Sequence, residues 1–229
     1  MQRWWAFGPY AIVGVVHLVG LFTGADAISG PSKGLLMPTL LFALLIGLSS
    51  RRGEVALWAG LGILLAWVGD LLLSTPGETG FVAGLGAFML THVAYLVLFL
   101  RPLRVRRIPL TALVLVPWWA ALLVLLAPHL GVLLVPVAVY GLVLGASTAA
   151  ALGTNRIVAV GGLIFLLSDT LLAFKLFWPD FSLWQADFLI MIGYITGQAL
   201  IAFGAVRQRR RATAAVTESQ LLAPSSRTR

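Results

Sequence analysis

Long apolar blocks recur along this chain, divided by short polar breaks, and each block is long enough, at about 17–25 residues, to cross a bilayer as a helix. The pattern predicts eight helices: Trp4 to Phe22, Lys33 to Leu48, Glu54 to Ser74, Phe81 to Leu100, Pro109 to Ala127, Leu130 to Leu152, Ile157 to Phe177 and Trp184 to Val206. Glycine, proline, serine or arginine marks the breaks, at residues 24–32, 49–53, 75–80, 101–108, 153–156 and 178–183. The fifth and sixth helices are divided only by Pro128-His129. The expected fold is all-α, a polytopic membrane protein with an eight-helix transmembrane domain over residues 1–206. Residues 207–229, basic at first and then small and polar, are expected to form a disordered tail. No cleavable signal peptide is expected, because Met1-Gln2-Arg3-Trp4-Trp5 leads straight into the first apolar block.

Composition agrees with that pattern. The 229 residues are 60% hydrophobic and 10% charged, against about 25% charged in a soluble domain. Mean hydropathy is +0.98. A net charge of +8 would suggest a nucleic-acid partner in a soluble protein, but the arginines fall in short loops and at the C-terminus, which the positive-inside rule explains. With eight spans, Arg3, Arg51, Arg52, Arg101, Arg104, Arg106, Arg107, Arg156, Arg207 and Arg209 to Arg211 share one side, and Asp26, Glu78 and Asp180 the other. Both termini are then expected in the cytoplasm. Trp4, Trp58, Trp178 and Trp184 lie near helix ends, as an aromatic belt requires. The preference for arginine over lysine leans towards a GC-rich bacterial genome and its cytoplasmic membrane. Having no cysteine, the chain has no disulfides, thiolate nucleophiles or cysteine-bound metals.

Two aspartates interrupt the apolar helices within similar phrases, Gly69-Asp70-Leu71-Leu72-Leu73-Ser74 and Ser168-Asp169-Thr170-Leu171-Leu172-Ala173. A carboxylate in a span costs about 2.5–3.5 kcal/mol on insertion scales, so such residues face a polar interior and have a task. They lie 99 positions apart, and the same offset carries Tyr95 onto Tyr194. Two four-helix repeats related by an axis along the membrane normal would produce this. Reckoned at 1.5 Å per residue, Asp70, Asp169, His92, Tyr95, Tyr140, Tyr194, Gln198, Lys33, Lys175 and His17 fall in one layer between the midplane and the outer leaflet, where they could line one cavity. Each also has a plainer reading. The tyrosines could pack with a satisfied hydroxyl, Gln198 could bond between helices, and the lysines could reach the interface. His17 could be structural and His129 interfacial. Neither a G-x-S-x-G elbow, a Walker loop nor H-E-x-x-H is present. A histidine-aspartate metal site is not favoured, as no histidines stand four apart.

The same residues carry a family resemblance. Pro31-Ser32-Lys33-Gly34-Leu35-Leu36-Met37-Pro38, Gly69-Asp70-x-Leu72-Leu73 and the Phe81-x-x-Gly84-x-x-x-Phe88-x-x-x-His92-x-x-Tyr95 helix resemble segments of the YhhN-type lysoplasmalogenases. So do Ala146 to Ala151, Gly161-Gly162-x-x-Phe165-x-x-Ser168-Asp169-x-x-Leu172-Ala173 and Tyr194-x-x-Gly197-Gln198-x-Leu200-Ile201. The resemblance runs from about Gly30 to Gly204, with Gly34 replacing the family's first proline after the lysine. It implies an integral membrane hydrolase that cleaves the vinyl ether bond of a lysoplasmalogen to a long-chain aldehyde and glycerophosphocholine or glycerophosphoethanolamine. It implies no metal cofactor, and it places the catalytic aspartates at Asp70 and Asp169.

Vinyl ether hydrolysis asks for one protonated acid, to deliver a proton to the β-carbon, and one carboxylate, to steady the oxocarbenium ion and direct water. Asp169 is read as the donor and Asp70 as the carboxylate, an assignment that could be reversed. His92 and Tyr140 would orient these groups or the water, and Lys33 would hold the phosphate of a lysophospholipid that enters sideways from the bilayer. Tyr95, Tyr194 and Gln198 complete the residues expected to bind or orient. The rival reading is a small proton-coupled transporter, with the aspartates as a relay and Pro117 and Pro136 as kinks. A lipid-binding or scaffold role without turnover is the third. Composition alone does not separate the three readings, and the oligomeric state stays open.

Overall fold

The computed structural model describes residues 4–48, 50, 53–105 and 107–222. Arg3, Arg51, Arg52, Arg106 and tail residues 223–229 lie outside them. Among the described residues the secondary structure is helical only. After a 3₁₀ turn at Trp4–Phe7 come α1 (Gly8–Thr23), α2 (Asp26–Gly47), α3 (Glu54–Leu73), α4 (Glu78–Leu100), α5 (Leu115–Leu130), α6 (Leu134–Leu152), α7 (Arg156–Phe177) and α8 (Ala186–Leu222). Large apolar side chains such as Ile12, Val15, Leu57, Leu71, Val124, Val135, Leu142 and Leu167 are exposed on the outside of the bundle. With its run of long apolar helices, this surface marks an integral membrane protein, since lipid rather than water is the solvent that suits it.

Seven helical stretches are long and apolar enough to cross a membrane, one fewer than the eight expected. The difference arises at one place. The stretch Leu110–Leu152 runs for 43 residues and contains both α5 and α6. A straight helix of that length would measure about 64 Å, twice the hydrocarbon thickness. The chain instead turns at Gly131, where φ is +50° and ψ −124°, a conformation open to glycine. Trp119 Nε1 then donates to Ala138 O at 3.0 Å, and the Trp119 ring lies against Gly141, so α5 and α6 pack as a hairpin. Pro117 and Pro136 fall in the first turns of α5 and α6, where a missing N–H leaves no helical bond unmade. They do not kink these helices in mid-membrane.

Two ends also differ from the pattern read off the chain. Helix α2 starts at Asp26 rather than Lys33, because Gly24 ends α1 in the left-handed region (φ 67°) and the next helix begins two residues later. Within this first stretch of α2 the Ser32 hydroxyl donates to Ile28 O at 2.6 Å. Helix α8 continues to Leu222, so residues 207–222 are helical where a disordered tail was expected. Arginine and alanine are strong helix formers, and this extension is tied to the bundle. Gln208 Nε2 donates to Leu103 O at 2.6 Å, Arg210 Nε donates to Gly47 O, and the Arg210 guanidinium lies 5.8 Å from the Trp4 ring centre.

Close helix pairs build the core. Along α3 and α4, Gly62 receives the Tyr95 ring, Gly69 receives Phe88, and Gly84 receives Leu73. Along α7 and α8, Gly161 meets Leu200 and the backbone of Gly197, and Gly193 meets Ser168. Small residues let the backbones approach without help from a hydrophobic effect that lipid does not supply. These two pairs carry Asp70 and Asp169.

Candidate active site

Asp70 sits one turn from the C-terminal end of α3, and Asp169 two turns from that of α7. Both line one cavity of ≈ 280 Å³. Its walls come from the C-terminal ends of α1, α3 and α7 and the N-terminal ends of α2, α4, α6 and α8, so it opens at a single end of the bundle. The described arginines Arg101, Arg104, Arg156, Arg207, Arg209 and Arg211 lie at the opposite end. Polar lining is contributed by His17, Ser29, Lys33, Asp70, Tyr140, Ser168, Asp169, Asp187 and Tyr194. Leu85, Val137, Leu172, Leu176 and Phe177 are among its apolar walls.

The two carboxyl groups have different neighbours. Asp70 is 5% exposed, accepts from Tyr194 Oη at 2.8 Å, and has Lys33 Nζ 4.0 Å from its Oδ1. Lys33 also donates to Ser74 Oγ at 3.3 Å, and Ser74 Oγ donates to Asp70 O at 2.8 Å, which holds the ammonium over the end of α3. Asp169, its side chain 9% exposed, accepts from Tyr140 Oη and has His92 Nε2 3.5 Å from its Oδ2. A cation thus faces one acid, and a phenol with an imidazole faces the other. Below them an edge-on aromatic cluster fixes the rings. His92 meets Phe165 with centres 4.7 Å apart, Phe165 meets Tyr194 at 5.5 Å, and Phe88 meets Tyr194 at 5.9 Å.

The partners come from particular helices. Asp70 on α3 is met by Lys33 from α2 and Tyr194 from α8; Asp169 on α7 is met by Tyr140 from α6 and His92 from α4. Each acid therefore has one partner from the helix before it and one from the last helix of the other half of the chain.

Of the residues expected to bind or orient, Lys33, Tyr140 and Tyr194 line the cavity beside the aspartates, and His92 stands behind Asp169. Tyr95 and Gln198 do not reach it. The Tyr95 ring fills the space left by Gly62, deeper in the bundle, and its hydroxyl donates to Gln198 Oε1. Three polar residues on the cavity wall, Ser29, Ser168 and Asp187, were not among those expected. Ser168 precedes Asp169 and donates to Ile190 O at 2.7 Å, which secures α7 to α8 there. Asp187 pairs with Lys175 at the mouth. His17, read from the sequence as either structural or functional, is buried on the cavity wall, with Nδ1 3.0 Å from both Ser29 O and Ser32 Oγ. A carbonyl only accepts, so the proton lies on Nδ1 and a neutral ring carries its lone pair on Nε2. That atom is buried without a protein partner. The run of breaker residues at 24–32 concealed this arrangement, because Ser29 and Ser32 face His17 only when that run is helical.

Comparison with known proteins bears on what such a cavity does. Residues 29–205 match the sequence model of the YhhN family. Human lysoplasmalogenase TMEM86B is 32% identical over 174 residues, covering 75% of this chain and 73% of its own. A lysoplasmalogenase of Mycobacterium tuberculosis (strain CDC 1551 / Oshkosh) is 31% identical over 217 residues, covering 84% of this chain and 81% of its own. No solved structure matches the chain. The matched segment begins at Ser29 and takes in both aspartates and every partner named for them, and the chain belongs to the YhhN family.

Proposed function

We propose that this protein is a lysoplasmalogenase, hydrolysing the vinyl ether of a lysophospholipid to a fatty aldehyde and glycerophosphocholine or glycerophosphoethanolamine by paired-aspartate catalysis. One observation carries the reading: two carboxyl groups on one cavity, each with a different electrostatic neighbour. Asp169, facing Tyr140 and His92, is the acid and delivers its proton to the β-carbon of the enol ether. The α-carbon and ether oxygen then share the positive charge of an oxocarbenium ion. Asp70, the carboxylate beside Lys33 and Tyr194, lies against that cation and directs water to the α-carbon. The hemiacetal that forms loses the glycerol oxygen as an alcohol, the carbonyl forms, and a proton returns to Asp169.

Lys33 has a second part in this reading. It is about one-third exposed at the side chain, so it can meet the lipid phosphate while facing Asp70. The apolar wall of Leu85, Leu172, Leu176 and Phe177 takes the start of the aliphatic chain, and the rest of the chain extends beyond the small cavity into the bilayer.

Purified protein in detergent, given a lysoplasmenyl lipid and assayed for free aldehyde, tests the proposal. Asp70→Asn and Asp169→Asn should each lower turnover at least about a hundredfold, a typical general acid–base contribution, while the protein still elutes as a folded species. Full turnover in either variant, or none in the native protein, overturns it. Transport would need a sealed vesicle and release no aldehyde, so the same assay separates the two activities.

A further inference from the structure

The end of the bundle opposite the aspartates carries a second and larger cavity, of ≈ 1370 Å³. It lies between the C-terminal end of α4 with the loop that follows, the α6–α7 turn, the start of α3 and the extended part of α8. Six arginines line it, Arg101, Arg104, Arg156, Arg207, Arg209 and Arg211, against one carboxylate, Glu54. Among the described residues none of the six is in a salt bridge. Arg207 and Arg211 stand four apart on α8, a spacing that places like charges on one helical face and destabilises an uncompensated helix. Arg104 is held at φ 50°, in the left-handed region that a side chain rarely adopts.

This concentration of charge rests on a built floor. Asn155 Nδ2 donates to Gln208 Oε1 at 2.7 Å, Gln208 Nε2 donates to Leu103 O at 2.6 Å, and Asn155 Oδ1 accepts from the amides of Ile157 and Val158. The α4–α5 loop, the start of α7 and α8 are thereby fixed to one another beneath the arginines. Val55, Leu103, Val105 and Ile157 add an apolar strip to the lining. Guanidinium groups match phosphate oxygens with paired donors, and an apolar strip at a helix end suits the first methylenes of a lipid chain. A soluble anion would have no use for that strip.

We propose that this cavity is a binding site for the head group of an anionic phospholipid, in the leaflet that the positive-inside rule assigns to the cytoplasm. The site is separate from the aspartate cavity, and the inference does not depend on the reaction proposed there.

Native mass spectrometry of the full chain, with phosphatidylglycerol or phosphatidylcholine added to detergent, tests it. Phosphatidylglycerol should bind at least about tenfold more tightly, and Arg104→Gln/Arg207→Gln should remove most of that preference. Arg107→Gln deletes a charge from an arginine outside the cavity lining and should leave the preference in place. Equal binding of the two lipids overturns the proposal. Equal loss in Arg107→Gln and in single Arg104→Gln does so too, since it would reduce the effect to diffuse charge. Displacement of the lipid by millimolar inorganic phosphate would make this a site for free phosphate and would equally overturn it. Thermal melting of each variant in detergent identifies any that has unfolded, and single Arg104→Gln, at an exposed loop position, then replaces such a double variant with the same outcomes applying.

Discussion

Tyr194 and Tyr140 give the two acids their separate hydrogen bonds, and each can be removed with little change of volume. Tyr194→Phe takes away the phenol's hydrogen bond to Asp70, and Tyr140→Phe takes away the one to Asp169. A hydrogen bond to the Asp70 carboxylate contributes about 1.5–3 kcal/mol and one to a neutral acid about 0.5–1.5 kcal/mol, so kcat/KM for aldehyde release should fall about tenfold or more in Tyr194→Phe and up to about tenfold in Tyr140→Phe. Aldehyde assays at matched protein concentration check this, with thermal melting as the control for folding. His17→Phe keeps an aromatic ring on the wall and removes its polar edge; kcat/KM should fall by up to about tenfold, the worth of one neutral hydrogen bond. Unchanged kinetics would assign His17 to packing alone. At this scale the sequence was most legible where physics makes a residue expensive. An aspartate within an apolar helix stands out by its cost, whereas Tyr95 resembles Tyr194 along the chain and differs only in what lies opposite. A glycine at position 62 draws the Tyr95 ring into the core, and that fact belongs to two helices at once.

Helices were legible to within a few residues where apolar blocks met charged breaks. Their ends were misjudged where a breaker proved compatible with helix, as Pro31 and Gly30 did in α2, or where strong helix formers followed a polar signal, as in α8. Pairing between helices was only partly legible. Glycines at 60, 62, 161 and 162 can be counted, but the backbone contact of Gly161 with Gly197 cannot be read from either segment alone. That contact gives a prediction of its own. A Cβ at position 161 would lie 2.9 Å from Leu200 Cβ and 3.0 Å from both Gly197 O and Ile201 N, and two of those three atoms are backbone that cannot turn aside. Gly161→Ala should therefore destabilise the protein by about 1–3 kcal/mol, the usual cost of overpacking, read as a lower Tm in detergent. Gly34→Ala is the control, since nothing lies within 4 Å of its new methyl group, and it should melt with the native protein.

For the whole molecule, charge predicts an orientation that can be tested. The described arginines gather at one end and the aspartate cavity lies at the other, so the positive-inside rule predicts that the cavity faces the outer leaflet and that both termini lie in the cytoplasm. A chain without cysteine is suited to testing this by single-cysteine labelling in intact cells. Pro179→Cys, beyond the C-terminal end of α7, should react with a membrane-impermeant maleimide, and Thr154→Cys, in the turn before α7, should react only after permeabilisation. Labelling in the reverse order would invert the protein. The exchange of partners between Asp70 and Asp169 has a wider consequence. Severed between α4 and α5, the chain would give two fragments, one holding Asp70 without its phenol and the other Asp169 without its imidazole. Each should be inert when made singly, and aldehyde release should return only where both are produced together in one membrane, as though the enzyme were a pair of subunits that had come to share a single gene.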